Sequence, residues 1–494
     1  MADESDRKDN LKHCAFFLKR KQRFCRMTVR EGNNYCGEHM IIAGEAERDG
    51  RKRITCPLDK KHTVFEDQLA KHLKKCNQTK KTRVEYYSAN INSGILNYSF
   101  CPDEKVSLST VSKNKVTSLI EKVKKYHKGN VSVIPSEVLC HSVFQRKMAE
   151  MSNKPGILKH LKQQASLIDH MDKMHLLKSN TVFMEFGAGR GKLSHWLQMA
   201  VGNSAENVDY ILIDRANNRY KYDRYHRGED QGPSFQRINL DIEHLDISKV
   251  PCLKNNETQK IVAVSKHLCG AATDLTLRCL METLTRNIES QASKEEGCKD
   301  CTSDRESKRL KMANNTEPVK GIVLALCCHH CCSWPQYVGR PFLHNLGFTA
   351  EEFHLLCCLS SWATCGIRLK KYLGEKAGGT VGDTCTGKDS DVGHESDRYG
   401  GHETSLETAT EISGEFIAKD EKTSGEKRAE IQEDDRWSNY TIPEREDIGR
   451  QCKRIIDAGR LWYLESRDYR ARLALYVDSS VSLENVVLLA TPKI

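Results

Sequence analysis

Apolar positions along the chain fall into two registers. From about residue 154 onward, short apolar runs alternate with stretches where apolar residues recur every three or four positions, the pattern of strands alternating with helices around a parallel sheet. The clearest run is VFMEF (182–186), which enters a loop with glycines at 187, 189 and 191 and then the helix-like KLSHWL. DYILIDR (209–215), FQRINLDIEHL (235–245), IVAVS (261–265) and GIVLAL (321–326) follow as strand candidates. The tail, from about 443, reads as a helix ending near AGRLWYL and two strands, ARLALYVD and NVVLLATP. Helical signal between 81 and 150 is patchy, and no internal repeat is present. Two polar stretches poor in large apolar residues, about 288–319 and 374–438, interrupt the pattern and are expected to be disordered loops.

At 494 residues the chain exceeds one ordinary core, so at least two units are expected. The pattern divides it into a small module at 10–42, a second at 53–80, a helical or irregular link at 81–150, and a large α/β domain at 151–494. Lys and Arg number 77 against 67 Asp and Glu, a net charge of +10. Much of the acid lies in 374–438, so the remainder is more basic than the net figure, which suits a polyanionic partner. MADESDRKDN lacks the apolar core of a secretory leader, and no run of about 18 apolar residues occurs, so an intracellular protein of nucleus or cytoplasm is expected, neither secreted nor membrane-spanning. In a reducing compartment the 21 cysteines read as metal ligands, site residues or buried thiols rather than disulfides.

Cys14, Cys25, Cys36 and His39 are separated by ten, ten and two residues. Three thiolates and an imidazole satisfy tetrahedral zinc. Cys56, His62, His72 and Cys76 follow at spacings of five, nine and three, and the last two share a helical face from which both can reach one ion. Lysines and arginines around both sets, among them Lys19, Arg20, Lys21, Arg23, Lys71, Lys74 and Lys75, give the modules a cationic character suited to phosphates.

The glycine loop alone does not choose a cofactor, because dinucleotide folds share it. The acids around it do. Glu185 stands two residues before Gly187, Asp214 ends the next strand and Asp241 the third. A carboxylate at these strand ends suits the methionine ammonium, the ribose hydroxyls and the adenine amine of S-adenosylmethionine, with Gly187, Gly189 and Gly191 admitting its amino-acid end. The fold class expected is therefore α/β, a Rossmann-like methyltransferase domain of the S-adenosylmethionine-dependent kind, preceded by two zinc-finger modules. Two further strand ends carry reactive groups: SKHLCGAATD, with Lys266, His267, Cys269 and Asp274, and LCCHHCCSW, with His329 among five neighbours of like chemistry. In open parallel sheets the crevice lies beyond the carboxyl ends of the strands, so both are active-site candidates. Lys266, His267 or His329 could take a proton, and Asp274 could orient either histidine. Adjacent cysteines do not readily converge on one ion, so the 327–332 run is not read as a zinc site, and neither is Cys298 with Cys301 in the first polar insert.

The two fingers, KHLKQQASLIDHM, EFGAGRGKLS, SKHLCGAATDL, LCCHHCCSW and AGRLWYLESRDY together resemble the eukaryotic tRNA 2′-O-ribose methyltransferases that modify nucleotide 4 of the acceptor stem. The resemblance spans nearly the whole chain. It implies S-adenosylmethionine as methyl donor, two structural zinc ions and tRNA as acceptor, with no obligate protein partner evident. The finger spacing taken alone fits any RNA-binding zinc module, and the glycine loop taken alone fits base or protein methyltransferases. Those alternatives, and a non-catalytic RNA-binding protein, remain open at the level of single motifs. The Ser-Lys-His end of the fourth strand, in place of an Asn/Asp-Pro-Pro-Tyr sequence, disfavours amino-nitrogen chemistry.

Overall fold

The computed structural model describes residues 13–18, 23–30, 32–45, 47–48, 51–94, 108–130, 133–216, 218, 222, 234–254, 259–282, 318–366 and 437–493. They divide into two compact units, one of residues 1–89 with 244–254 and one of 90–243 with 255–494. The polar inserts expected at about 288–319 and 374–438 fall almost wholly outside the described residues.

The first unit holds short elements pinned by cysteine and histidine. Strands β1 (Phe17–Leu18) and β2 (Arg23–Phe24) pair antiparallel, and helix α1 (Gly37–Ile42) begins directly after Cys36. A second sheet joins β3 (Glu47–Arg48), β4 (Arg51–Cys56) and β5 (Asp59–Phe65), and helix α2 (Leu69–Lys75) follows. Arg53 ties the two halves together: its Nε donates to the Gly37 carbonyl at 3.1 Å and to Thr63 Oγ1 at 2.8 Å. A core of four buried hydrophobics, three of them cysteines, is too small to hold such a module without metal.

In the second unit a seven-stranded sheet runs β11-β12-β10-β9-β6-β7-β8. Its parallel part comprises β6 (Thr181–Phe186), β7 (Val208–Ile213), β8 (Ser234–Ile238), β9 (Lys260–Cys269) and β10 (Val319–Cys327). Strands β11 (Tyr469–Leu475) and β12 (Val486–Pro492) complete the edge antiparallel. All six residues of β6 are buried, which explains why its run is apolar throughout rather than alternating. Sequential strands diverge from β6, toward β7 on one side and β9 on the other, so a crevice opens at its carboxyl end.

Alternate strand positions, Phe183, Tyr210, Leu212, Val262, Val264 and Val323, share a core with helices α4 (Pro155–Lys173) and α5 (Lys192–Val201). A second core joins α3 (Lys113–Asn130), α7 (Ala350–Ser360) and α8 (Ile442–Glu465). Between β9 and β10 lies helix α6, which spans 271–282. Helix α3 falls in the region the sequence marks as a link, yet Val116, Leu119, Ile120 and Val123 recur at helical spacing and are fully enclosed. That stretch belongs to the core of the second unit. Capping boxes, Thr349 with Glu352 and Thr441 with Glu444, start α7 and α8.

Candidate active site and metal centres

Four residues meet in each half of the first unit. Cys36 stands at the amino end of α1 and His39 in its first turn, with His39 Nδ1 3.3 Å from Cys36 Sγ and 3.4 Å from Cys14 Sγ. Phe16 stacks on the His39 ring at 4.2 Å and fixes its plane. In the other half, Cys56 and Cys76 lie 4.0 Å apart, His72 Nε2 is 3.2 Å from Cys56 Sγ, and His62 Nε2 is 3.1 Å from His72 Nε2. Within Cys14, Cys25, Cys36 and His39, and within Cys56, His62, His72 and Cys76, all ligand atoms lie within 4.8 Å of one another. Bonds of about 2.3 Å to sulfur and about 2.0 Å to nitrogen place tetrahedral ligands roughly 3.3–3.8 Å apart, so both sets fit zinc.

At the crevice of the second unit, Gly187, Gly189 and Gly191 adopt φ of +67°, +51° and +78°. A Cβ on Gly187 would sit 2.4 Å from the His267 carbonyl oxygen, so the loop passes β9 too closely for any side chain. A Cβ on Gly189 would meet nothing within 4 Å, leaving the loop's other side open to a ligand. Asp214 Oδ2 accepts from Gly189 N at 2.7 Å and its Oδ1 from Ala216 N at 2.7 Å, which holds the carboxylate against the loop. Asp241 lies three residues beyond the end of β8, accepts from Glu243 N at 3.2 Å and has Arg215 Nη1 3.8 Å away.

The sequence profile of the family described as Methyltransferase TRM13 matches residues 162–491, two thirds of the chain and the whole of this crevice. The chain belongs to the TRM13 methyltransferase family. A profile described as the CCCH zinc finger in TRM13 protein matches residues 12–40, and one described as a U11-48K-like CHHC zinc finger matches 53–77. Among its relatives, the tRNA:m(4)X modification enzyme TRM13 homolog of Mus musculus is 37% identical over 97% of this chain and 94% of its own. The Homo sapiens homolog is likewise 37% identical over 97% and 94%. The Saccharomyces cerevisiae tRNA:m(4)X modification enzyme TRM13 is 29% identical over 97% and 96%. As a TRM13-family methyltransferase the chain uses S-adenosylmethionine, and its finger clusters are zinc sites.

Within this TRM13 domain the sequence-expected residues separate into two groups. Lys266 and His267 lie in a bulge of β9, between the pairs Ser265 with Leu324 and Leu268 with Leu326. The bulge turns side chains out of the strand's alternation at the edge of the crevice. Lys266 Nζ lies 2.9 Å from His160 Nδ1 and 3.2 Å from His267 Nε2, so one amine is shared by two imidazoles. Sequence reasoning missed His160; it lies in the quoted segment 159–171, but nothing in local pattern separates it from its polar neighbours on α4.

Asp274 and His329 lie elsewhere, both buried to within 1% exposure. Asp274 accepts from Arg460 Nε at 3.2 Å and Nη2 at 2.7 Å, and Arg460 Nη1 donates to Asp457 at 3.1 Å. His329 Nε2 donates to Asp457 at 2.7 Å, so the partner orienting His329 is Asp457 rather than Asp274. Burial lowers the pKa of His329, while Asp457, despite its burial, is held well below the usual carboxylate range by His329, Arg454 and Arg460. This chain of charges joins α6, the turn after β10 and α8; it supports the strand ends from inside instead of facing the crevice.

Glu185 also turns inward. It is 4% exposed, and Oε2 accepts from the amide and the hydroxyl of Ser194 in the first turn of α5. The carboxyl thus braces the glycine loop between β6 and α5, where the sequence suggested contact with the cofactor's ammonium. Burial, only partly offset by these hydrogen bonds, pushes its pKa up to about 7.

Proposed function

We propose that this protein transfers a methyl group from S-adenosylmethionine to the ribose 2′-hydroxyl of nucleotide 4 in the acceptor stem of tRNA. The observation that carries the reading is the likeness, along 97% of the chain, to relatives named as tRNA:m(4)X modification enzymes, with both fingers included. The cofactor supplies an electrophilic methyl on a sulfonium. The chain's residues do the remainder. Gly187, Gly189 and Gly191 let the backbone pass the amino-acid end of the cofactor, braced by Glu185. Asp214 accepts from the ribose hydroxyls and Asp241 from the adenine amine. A ribose hydroxyl is a weak nucleophile at neutral pH, so it needs a group that takes its proton as the bond forms. Lys266 is the group that takes that proton at Nζ, and His160 and His267, each within hydrogen-bond distance, position the amine.

The fingers bind the acceptor stem. A-form duplexes are read through shape, 2′-hydroxyls and phosphates, which basic modules can grip without base contacts. Among the described residues no helix is long and apolar enough to cross a membrane.

The test of the catalytic assignment is Lys266→Ala measured beside His160→Ala. We expect Lys266→Ala to lower kcat by about 10²–10⁴-fold with S-adenosylmethionine affinity near wild type, and His160→Ala to lower it less while displacing the pH–rate profile. Wild-type turnover in Lys266→Ala would remove that residue from proton transfer.

A further inference from the structure

We propose that Cys269, Cys327 and Cys328 hold a third zinc ion, in a site of three thiolates built across the carboxyl ends of β9 and β10. The three Sγ atoms lie within 4.8 Å of one another, the same test that both finger clusters pass. Cys269 and Cys327 are directly paired in the parallel ladder, and their sulfurs are 3.8 Å apart. Two Zn–S bonds of about 2.3 Å at a tetrahedral angle place sulfurs roughly 3.8 Å from each other. The Cys56 and Cys76 sulfurs of the second finger, at 4.0 Å, provide an internal standard.

Adjacency of Cys327 and Cys328 argues against a shared ion in an extended chain, where successive side chains face opposite ways. Here Cys328 adopts φ 51° and ψ 42°, a left-handed conformation uncommon outside glycine. That single residue breaks the alternation and brings neighbouring thiols to one side. The turn after β9 is equally tight: a Cβ on Gly270, at φ +57°, would sit 2.5 Å from atoms of Cys331. Two strand ends are therefore drawn together around three sulfurs.

Thiolates select zinc over magnesium or calcium. Cys327 is buried, Cys328 half-buried and Cys269 exposed, so the ion has a path in from solvent. Among the described residues the group has three ligands where each finger has four, and the site as proposed gives its fourth position to water. Lys266 and His267 sit in the β9 bulge just before Cys269, so such an ion would clamp the segment that carries them. Nothing in this reading depends on which acceptor is methylated.

Zinc content of the full-length protein, by elemental mass spectrometry, is the test. We expect about three zinc ions per chain in the wild type, about two in Cys269→Ser, and about three in Cys331→Ser, a neighbouring cysteine outside the group. Cys328→Ser is read in place of Cys269→Ser should the latter fail to fold. Two ions in the folded wild type, three retained in Cys269→Ser, or a Cys269–Cys327 disulfide recovered from unreduced peptides would each overturn the site.

Discussion

At the end of β6 the carboxyl of Glu185 couples the cofactor loop to pH. Its folded-state pKa of about 7 stands above the ordinary 4.5, because burial disfavours the ionised form. The contribution of the protonated carboxyl to stability is therefore full below about 4.5 and is lost as pH rises through about 7. For wild-type protein without cofactor, this group alone removes on the order of 3 kcal/mol between those limits. Glu185→Gln keeps an oxygen for Ser194 and carries no charge. Urea unfolding of both proteins at pH 5 and pH 8 should show a smaller fall in stability in the variant. An equal fall would mean that Glu185 does not titrate in that window.

Among the secondary elements, α8 carries a buried ionic group beside its apolar packing. Arg460 is fully buried between Asp274 of α6 and Asp457 of its own helix, and Asp457 in turn holds His329 after β10. Removing one member of a buried ionic group leaves its partners uncompensated, so Arg460→Ala should cost about 3–5 kcal/mol in equilibrium unfolding. A loss under about 1 kcal/mol would show that the network is replaceable. The sequence made the elements themselves legible. VFMEF, YILI, IVAVS and GIVLAL became β6, β7, β9 and β10, because strands covered on both faces are written as unbroken apolar runs. It did not make the charge network legible, since Asp274 and Arg460 lie 186 residues apart and neither carries a local mark of its partner. The finger ligands were readable for the opposite reason, as zinc constrains them within 26 consecutive residues in the first module and 21 in the second. His160 was hidden because a polar residue on an amphipathic helix looks the same whether it faces solvent or an active-site amine.

On the scale of the whole molecule, function divides between units that can be perturbed separately. The fingers depend on metal for their fold, so Cys56→Ser combined with His72→Ala should remove about one zinc and most tRNA affinity while S-adenosylmethionine binding stays near wild type. Unchanged tRNA binding in that double variant, at a salt concentration where the parent complex is salt-sensitive, would assign the module another role. The identity of the methylated product tests the proposed activity most directly. Purified protein, methyl-labelled S-adenosylmethionine and unmodified tRNA are incubated together, and the tRNA is digested and mapped by mass spectrometry. One labelled methyl is expected on the ribose of nucleotide 4, with none appearing when Asp214→Ala replaces the wild type. Label on a base, on a ribose at another position, or on protein alone would contradict it.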